Sequence, residues 1–547
     1  MTSRLRAAAL CALALPTAAP ALPLTEAFLD AVAAGAYLAP APAEAVREPL
    51  VRIAPDARGP GGAPSGADRP SPRAISNALS VPALVRTDPA PLSNFATGWA
   101  QFMMSHDLAR SPADADRVLD IPVAADDPVA REVDGVPVMR QRRSSIDPAT
   151  GEPFSDVTPW LDGSTVYGST AARAAQLREP GEGGLLRVAD DGGLMIVHGR
   201  RYAGDERADE NLVLESIHEL MMKEHNRLAR EIADGCAAGG LACSGDAIYG
   251  AARAVNVAVQ QRILFEEFAP AFLGTSDFAS LVPDAALLDG PGIVLNEFTA
   301  AAGRIGHTKV PARVEVALPG GPRTGAAIED CIFDRCIGDQ PLDARIYGAL
   351  TQPSEPVDTV VTPGLRNALL ETPGEDILID LLATNINRGR DHGLSDYLAV
   401  RRALGLAAAP AAALLPAEVL AIYDDPDEID LLVGIFGESP LAGSQLGETG
   451  SALWALQLER LRRDPDFYTS LAGDPLGLML GDWGMADVIA ANTSLTRAQA
   501  SDPFRAPAAV PAPPALAAMG LGLLGLAALR RRTGGRARAP DGRARRA

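Results

Sequence analysis

Six histidines occur in 547 residues, and their neighbours suggest different chemistries. In "WAQFMMSHDLAR", Trp99 to Arg110, His106 is followed at once by an acid; an imidazole there can move protons near neutral pH or bind a metal. In "GDERADENLVLESIHELMMKEHNRLAREI", Gly204 to Ile232, His218 and His225 are seven residues apart, two helical turns, and share a face. A zinc-protease HExxH starting at His218 needs a histidine where Met222 stands, and an HxxEH ending at His225 needs one at Met221. Neither is present, so both read as histidines of a long helix. His198, in "LMIVHGRR", has no polar neighbour and reads as structural. His307, in "FTAAAGRIGHTKVPARV", follows Gly306 and a run of small residues that leave room for a flat, bulky group. Finally, "LLATNINRGRDHGLSDYLAVRR" crowds Asn385, Arg388, Arg390, Asp391 and His392 beside an apolar run. Such crowding is costly unless the groups bond to one another or to a ligand.

These residues need rigid supports. Apolar residues recur at three- and four-residue spacing over 92–109, 211–234, 248–268, 296–306, 375–385, 395–403 and 451–463, which predicts helices. Few stretches alternate as strands do. No repeat and no Gly/Ser linker divides 73–505, so this stretch reads as one large, mainly α domain with few short strands. Residues 22–72 are rich in Ala, Pro and Gly ("RGPGGAPSGADRPSPR") and read as a loosely ordered lead-in, and 506–514 as a linker to a tail at 515–547.

The charged fraction of 22% and hydrophobic fraction of 47% are those of a globular chain. The first 21 residues have the layout of a secretory signal: Arg4 and Arg6, an apolar run from Ala7 to Leu15, then Ala19-Pro20-Ala21. Export to the outside of the cell, its surface or the outer envelope is the expectation. The tail sets 15 apolar or glycine residues, Ala515 to Leu529, before an arginine cluster. A bilayer core asks for ~20. This layout resembles bacterial C-terminal sorting signals of the PEP-CTERM kind, which implies engagement with membrane or sorting machinery; a plain anchor is the other reading. Without both ends the chain carries 39 basic and 68 acidic residues, an excess that argues against nucleic acid or anionic lipid as partner of the folded part. In an exported chain, Cys236 with Cys243 and Cys331 with Cys336 read as two local disulfides; a zinc site fits these spacings poorly.

Taken together, the histidine segments resemble the animal-type haem peroxidases, the superfamily of myeloperoxidase, lactoperoxidase and peroxidasin, bacterial members included. The family patterns GDxRxxExxxLxxxHxLxxxEHNRxA, RxGHxx and NxxRGRDHG occur here in order, and the resemblance runs from about Arg73 to Phe504. It implies a single helical domain that binds a b-type haem, reduces hydrogen peroxide and oxidises a halide, a pseudohalide or a small aromatic donor. By residue match, His307 is the axial iron ligand, and Asn385 accepts a hydrogen bond from its other ring nitrogen. Arg304 and Arg388 neutralise haem propionates or the field near them. On the opposite side His106 is the acid/base histidine, Arg207 stabilises charge during O–O cleavage, and Gln101 shapes the pocket.

Glu210 matches a glutamate that forms an ester to the haem. The family's second linking acid is replaced by Ser105 and its methionine by Asn211, so one ester at most is expected. Asp107, with Thr158, the Trp160 carbonyl, Asp162 and Ser164, matches a calcium site built of hard oxygen ligands. Fatty-acid oxygenases of the same superfamily carry a tyrosine three residues before the axial histidine, where this chain has Arg304. A non-enzymatic adhesion or matrix protein on the same fold is a further alternative.

One spacing departs from the family. Gln101 precedes His106 by five residues instead of four, and on a regular helix five residues give about 140° of offset against about 40° for four. Either a π-bulge returns Gln101 to the haem side, or Phe102 takes its place in the pocket.

Overall fold

The computed structural model describes residues 21–507 apart from 40–46, 89, 107, 109, 182, 334–335, 337–339, 373–374 and 466. The signal stretch (Ala21 aside), residues 508–514 of the linker and the tail 515–547 lie outside the described residues. Among the described residues no helix is long and apolar enough to cross a membrane.

The longest described helix is Leu212–Ala238, 27 residues. It starts where Asn211 Oδ1 accepts the Leu214 N–H, and Glu215 places an acid in its first turn. From Leu212 to Met222 every residue is buried, as in a helix enclosed on all sides, while Arg230 and Asp234 further along are exposed. Helix Gly245–Arg262 packs along it, and the Cys236–Cys243 disulfide ties the turn between them. Cys331 and Cys336 are also joined, so both expected pairs form. Gly98 lets helix Asn94–Ala100 press against the long helix, since a Cβ there would come within 2.7 Å of Val213.

Asn94–Ala100 is capped by Ser93 and runs straight into a π-helical turn, Gln101–His106. Helix Asn296–Ala300 breaks at Ala301 and continues as a 3₁₀ stretch, Ala302–Thr308, which carries His307. Helix Leu381–Asp391 carries Asn385. The strands are short: five two-stranded and one three-stranded antiparallel sheets among the described residues. The mainly α fold class stands.

Two expectations need correction. Residues 375–385 are not one helix: Glu375–Ile379 pairs antiparallel with Ala368–Thr372, and Asp380 then caps the next helix by accepting the Ala383 N–H. The acceptor side chain ends the helix where the apolar periodicity alone carries it backwards. The described part of the lead-in is also not loose. Thr25 caps helix Glu26–Ala33, whose Phe28 and Val32 are fully buried, and Leu22, Leu50 and Ala54 join the same core. The Ile53 and Ala54 N–H groups both donate to Glu297 Oε1 at 3.1 Å. Arg52 donates to the carbonyls of His392 and Gly393, which ties this segment to the back of the helices that carry the site.

One part-buried acid gives stability a pH dependence. Glu267 accepts the Met485 N–H at the start of helix Met485–Asn492, and burial pushes its carboxyl up to about 7. A raised carboxyl favours the folded state when protonated, so its contribution is full below about 4.5 and is lost as pH rises through about 7. Calorimetry across that window should show Glu267→Gln removing roughly 1–3 °C of the decline in Tm, the scale on which about one kcal/mol moves a domain of this size.

Candidate active site

A cavity of about 400 Å3 lies between the π-turn and the 3₁₀ stretch, within the size range of small-molecule and cofactor sites. His106 lines it from the π-turn and His307 from the 3₁₀ stretch, with Arg207, Glu210 and Arg304 between them. Phe268, Phe272, Phe298 and Trp454 contribute a continuous aromatic wall that no motif had signalled. Its signal was the apolar face of helices whose period was legible but whose orientation was not. Ser105 Oγ donates to the Gly303 carbonyl at 3.4 Å and joins the two histidine segments. A Cβ placed on Gly306 meets no heavy atom within 4 Å, so this glycine leaves the wall beside His307 open.

The extra residue before His106 is absorbed by the π-turn. Five residues make about one turn of such a helix. Gln101 Nε2 therefore lies 3.4 Å from His106 Nε2 and donates to Glu210 Oε2 at 2.8 Å. Phe102 is fully buried between Trp99 and His218 and does not line the cavity.

His106 Nε2 is 3.5 Å from Glu210 Oε2, and its Nδ1 is 3.8 Å from Asp205 Oδ1. Arg207 holds Asp205 with two bonds, Nε to Oδ1 at 2.8 Å and Nη2 to Oδ2 at 2.7 Å. Burial works to raise the Asp205 carboxyl, but Arg207 and His106 hold it far below the usual range. Glu210 behaves likewise: burial opposes its charge, and His106 and Arg207 outweigh it. Asp205 stood two residues before Arg207 in the GDER motif, yet its part in aligning Arg207 was not foreseen.

Across the cavity, burial and the neighbouring Arg304 push the His307 imidazole down to about 4, which keeps it neutral and able to offer a lone pair. Arg304 donates to the Thr299 carbonyl and to Asn385 Oδ1 but has no carboxylate within ion-pair distance among the described residues. Burial, with Arg388 and Arg207 nearby, lowers it to about 9. A part-buried cation of this kind favours an anionic ligand group beside it.

Two expected roles change here. Asn385 reaches His307 Nδ1 at 2.6 Å through its amide nitrogen, because Arg304 Nη1 occupies its oxygen at 3.1 Å. In this orientation Asn385 is the donor; the accepting role requires a half-turn of the amide. Arg388 is turned to Asp391 and Ser144 and does not line the cavity. The crowded polar run is satisfied largely within the protein: Arg390 grips Asp430, Arg143 holds Asp391, and His392 bridges Asn296 and Ser144. His225 is likewise satisfied, by Tyr167 and the Gly184 carbonyl, while His198 is exposed.

Of the residues matched to calcium, Asp107 lies outside the described residues. Thr158 Oγ donates to Asp162 Oδ1 at 2.9 Å and to the Trp160 carbonyl at 3.3 Å, and the Ser164 N–H donates to Asp162 Oδ1 at 3.0 Å. Among the described residues no group of three or more His, Cys, Asp or Glu side chains is placed to hold a metal, so this loop offers mostly hydroxyl and carbonyl oxygens.

The chain is 30% identical over 400 residues to thyroid peroxidase of Canis lupus familiaris, a match covering 64% of this chain and 42% of that protein. It is 26% identical to peroxinectin A of Dictyostelium discoideum over 460 residues, 77% of this chain and 84% of that one. The chain thus spans less than half of the thyroid enzyme. Among solved structures, peroxidase A of Dictyostelium discoideum superimposes with a TM-score of 0.72 at 24% identity, covering 84% of this chain and 96% of that one. Fatty acid alpha-dioxygenase of Oryza sativa does so with 0.64 at 22% identity, covering 77% of each chain. These two likenesses show the fold. The animal haem peroxidase family model matches residues 44–501, a span that contains every segment lining the cavity, and the chain belongs to that family.

Proposed function

We propose that the chain is a haem-dependent peroxidase that reduces hydrogen peroxide and oxidises a halide, a pseudohalide or a small aromatic donor. The observation that carries this reading is the pair of histidines lining one cavity, one neutral and beside open space, the other beside Asp205, Glu210 and Arg207. A b-type haem fits the residues present: an apolar and aromatic lining, a nitrogen ligand in His307, and in Arg304 a part-buried cation without a carboxylate at ion-pair distance among the described residues. When bound, the haem supplies the redox chemistry that peroxide reduction requires.

The chain's own residues prepare the rest. Glu210 Oε2 and Asp205 flank the His106 ring, which can take a proton from one peroxide oxygen and return it to the departing one. Arg207, aligned by Asp205, offers positive charge as the O–O bond parts. His307 would supply a nitrogen ligand to the haem iron; a neutral ring does so when its Nδ1–H donates to Asn385, which takes the half-turn of the Asn385 amide described above.

Glu210 borders the cavity and Ser105 cannot form an ester-linked carboxylate, so at most one ester link, through Glu210, belongs to this proposal. Acid-acetone extraction should leave part of the haem on the parent protein and none on Glu210→Gln. Calcium bound at Thr158, the Trp160 carbonyl, Asp162, Ser164 and Asp107 would tie the π-turn to a distant loop, and the gathering of the first four supports it. Export through residues 1–21, a linker at 506–514 and a sorting or anchoring tail at 515–547 complete the reading, and two closed disulfides agree with an oxidising compartment. The fold likeness to fatty acid dioxygenases makes one comparison decisive. Peroxide-dependent oxidation of thiocyanate or a phenol is expected, and oxygen uptake with an unsaturated fatty acid would favour the oxygenase instead.

A further inference from the structure

We infer that Asn211 is a positioning residue that fixes which end of the Gln101 amide faces the reaction cavity. An amide presents an oxygen acceptor at one end and a two-hydrogen donor at the other, and only its neighbours decide which end points where. Here each neighbour decides for the next. The Leu214 N–H, an orphan donor of the long helix's first turn, requires Asn211 Oδ1 at 2.9 Å. The Asn211 amide nitrogen is thereby turned to Gln101 Oε1, to which it donates at 2.9 Å. Gln101 must then point its own nitrogen away, and Nε2 donates to the Glu210 carboxylate at 2.8 Å, 3.4 Å from His106 Nε2.

Glu210, whose oxygens only accept whether the group is ionised or ester-linked, rewards the same orientation from the other side. Asn211 cannot drift, because its backbone bridges Ile332, and the Phe333 N–H donates to the Glu210 carbonyl. The direction of hydrogen bonding set at a helix start is thus passed through two amides into the cavity. Gln101 is held as a donor toward the space beside His106, where a small anion or an oxygen acceptor is stabilised. The π-turn brings Gln101 into range, and Asn211 determines what it presents.

This inference rests on the haem-peroxidase reading, and its test separates the two. The probe is fluoride, an anion stabilised by hydrogen-bond donors, titrated into the resting holoprotein without peroxide and followed in the haem absorbance. Asn211→Ser keeps a capping oxygen for the Leu214 N–H but is too short to hold Gln101. It should leave Tm within about 1 °C of the parent, serine being as good an N-cap as asparagine. It should weaken fluoride binding by about tenfold or more, the scale of a hydrogen bond to a charged group. Gln101→Ala should weaken it to a similar extent. The decisive result is the double variant, expected to be no weaker than Gln101→Ala alone, because one residue acts through the other. Additive losses, or unchanged binding in Asn211→Ser with weakened binding in Gln101→Ala, would overturn the positioning role within a haem-loaded series. A parent chain that takes up no haem overturns the peroxidase reading itself, and this inference with it.

Discussion

His106→Ala is expected to lower the rate of reaction with hydrogen peroxide by about 10²- to 10⁴-fold, the usual contribution of a positioned acid/base group. The π-turn Gln101–His106 aims the imidazole into the cavity and leaves Nε2 beside Glu210. Asp205 lies 3.8 Å from Nδ1 and is itself held by both arms of Arg207. In the proposed roles, removing the ring deletes the proton acceptor but neither the haem ligand, His307, nor the cation, Arg207. Haem content should therefore match the parent, and stopped-flow mixing with peroxide should show the slow rate. A loss of less than about tenfold would assign proton transfer to another group, with Glu210 the nearest carboxylate.

His307→Ala is expected to have the second large effect, on haem retention and the resting spectrum before any turnover. The ring stands on a short 3₁₀ stretch that follows the break at Ala301, is kept neutral by burial and by Arg304, and is oriented by Asn385. Outer partners of metal ligands typically contribute 10- to 100-fold in affinity or activity, so Asn385→Ala should fall in roughly that range and His307→Ala should exceed it. Haem content per chain after gel filtration measures both. Retention of a normal resting spectrum by His307→Ala would remove this residue as the ligand.

What could be read from the residues depended on how local its physics was. The helix that carries His218 and His225 was legible because its period is long and its cap, Asn211, is adjacent. The π-turn could be posed as one of two outcomes, since an extra residue in a turn must either be absorbed or rotate the face. Only the packing of Phe102 against Trp99 and His218 decides between them.

The lead-in was misread because its composition resembles that of a linker. Its order comes from partners hundreds of residues away, such as Glu297 for Ile53 and Ala54. Arg388 was expected, from its motif position, at the haem propionates or in the field near them; Ser144 and Asp391 claim its guanidinium, and its charge still acts on Arg304. The donor and acceptor ends of Asn385 and Asn211 are indistinguishable in a string of letters and emerge only from who stands next to them.

Whether this cavity takes up haem and turns over peroxide is decided by the absorption spectrum of the full chain produced with ample haem, recorded before and during addition of hydrogen peroxide. A Soret band in the purified protein that changes as peroxide is consumed, and returns when a reductant is supplied, is the predicted result. A colourless, folded protein, or one whose haem band ignores peroxide, would contradict it.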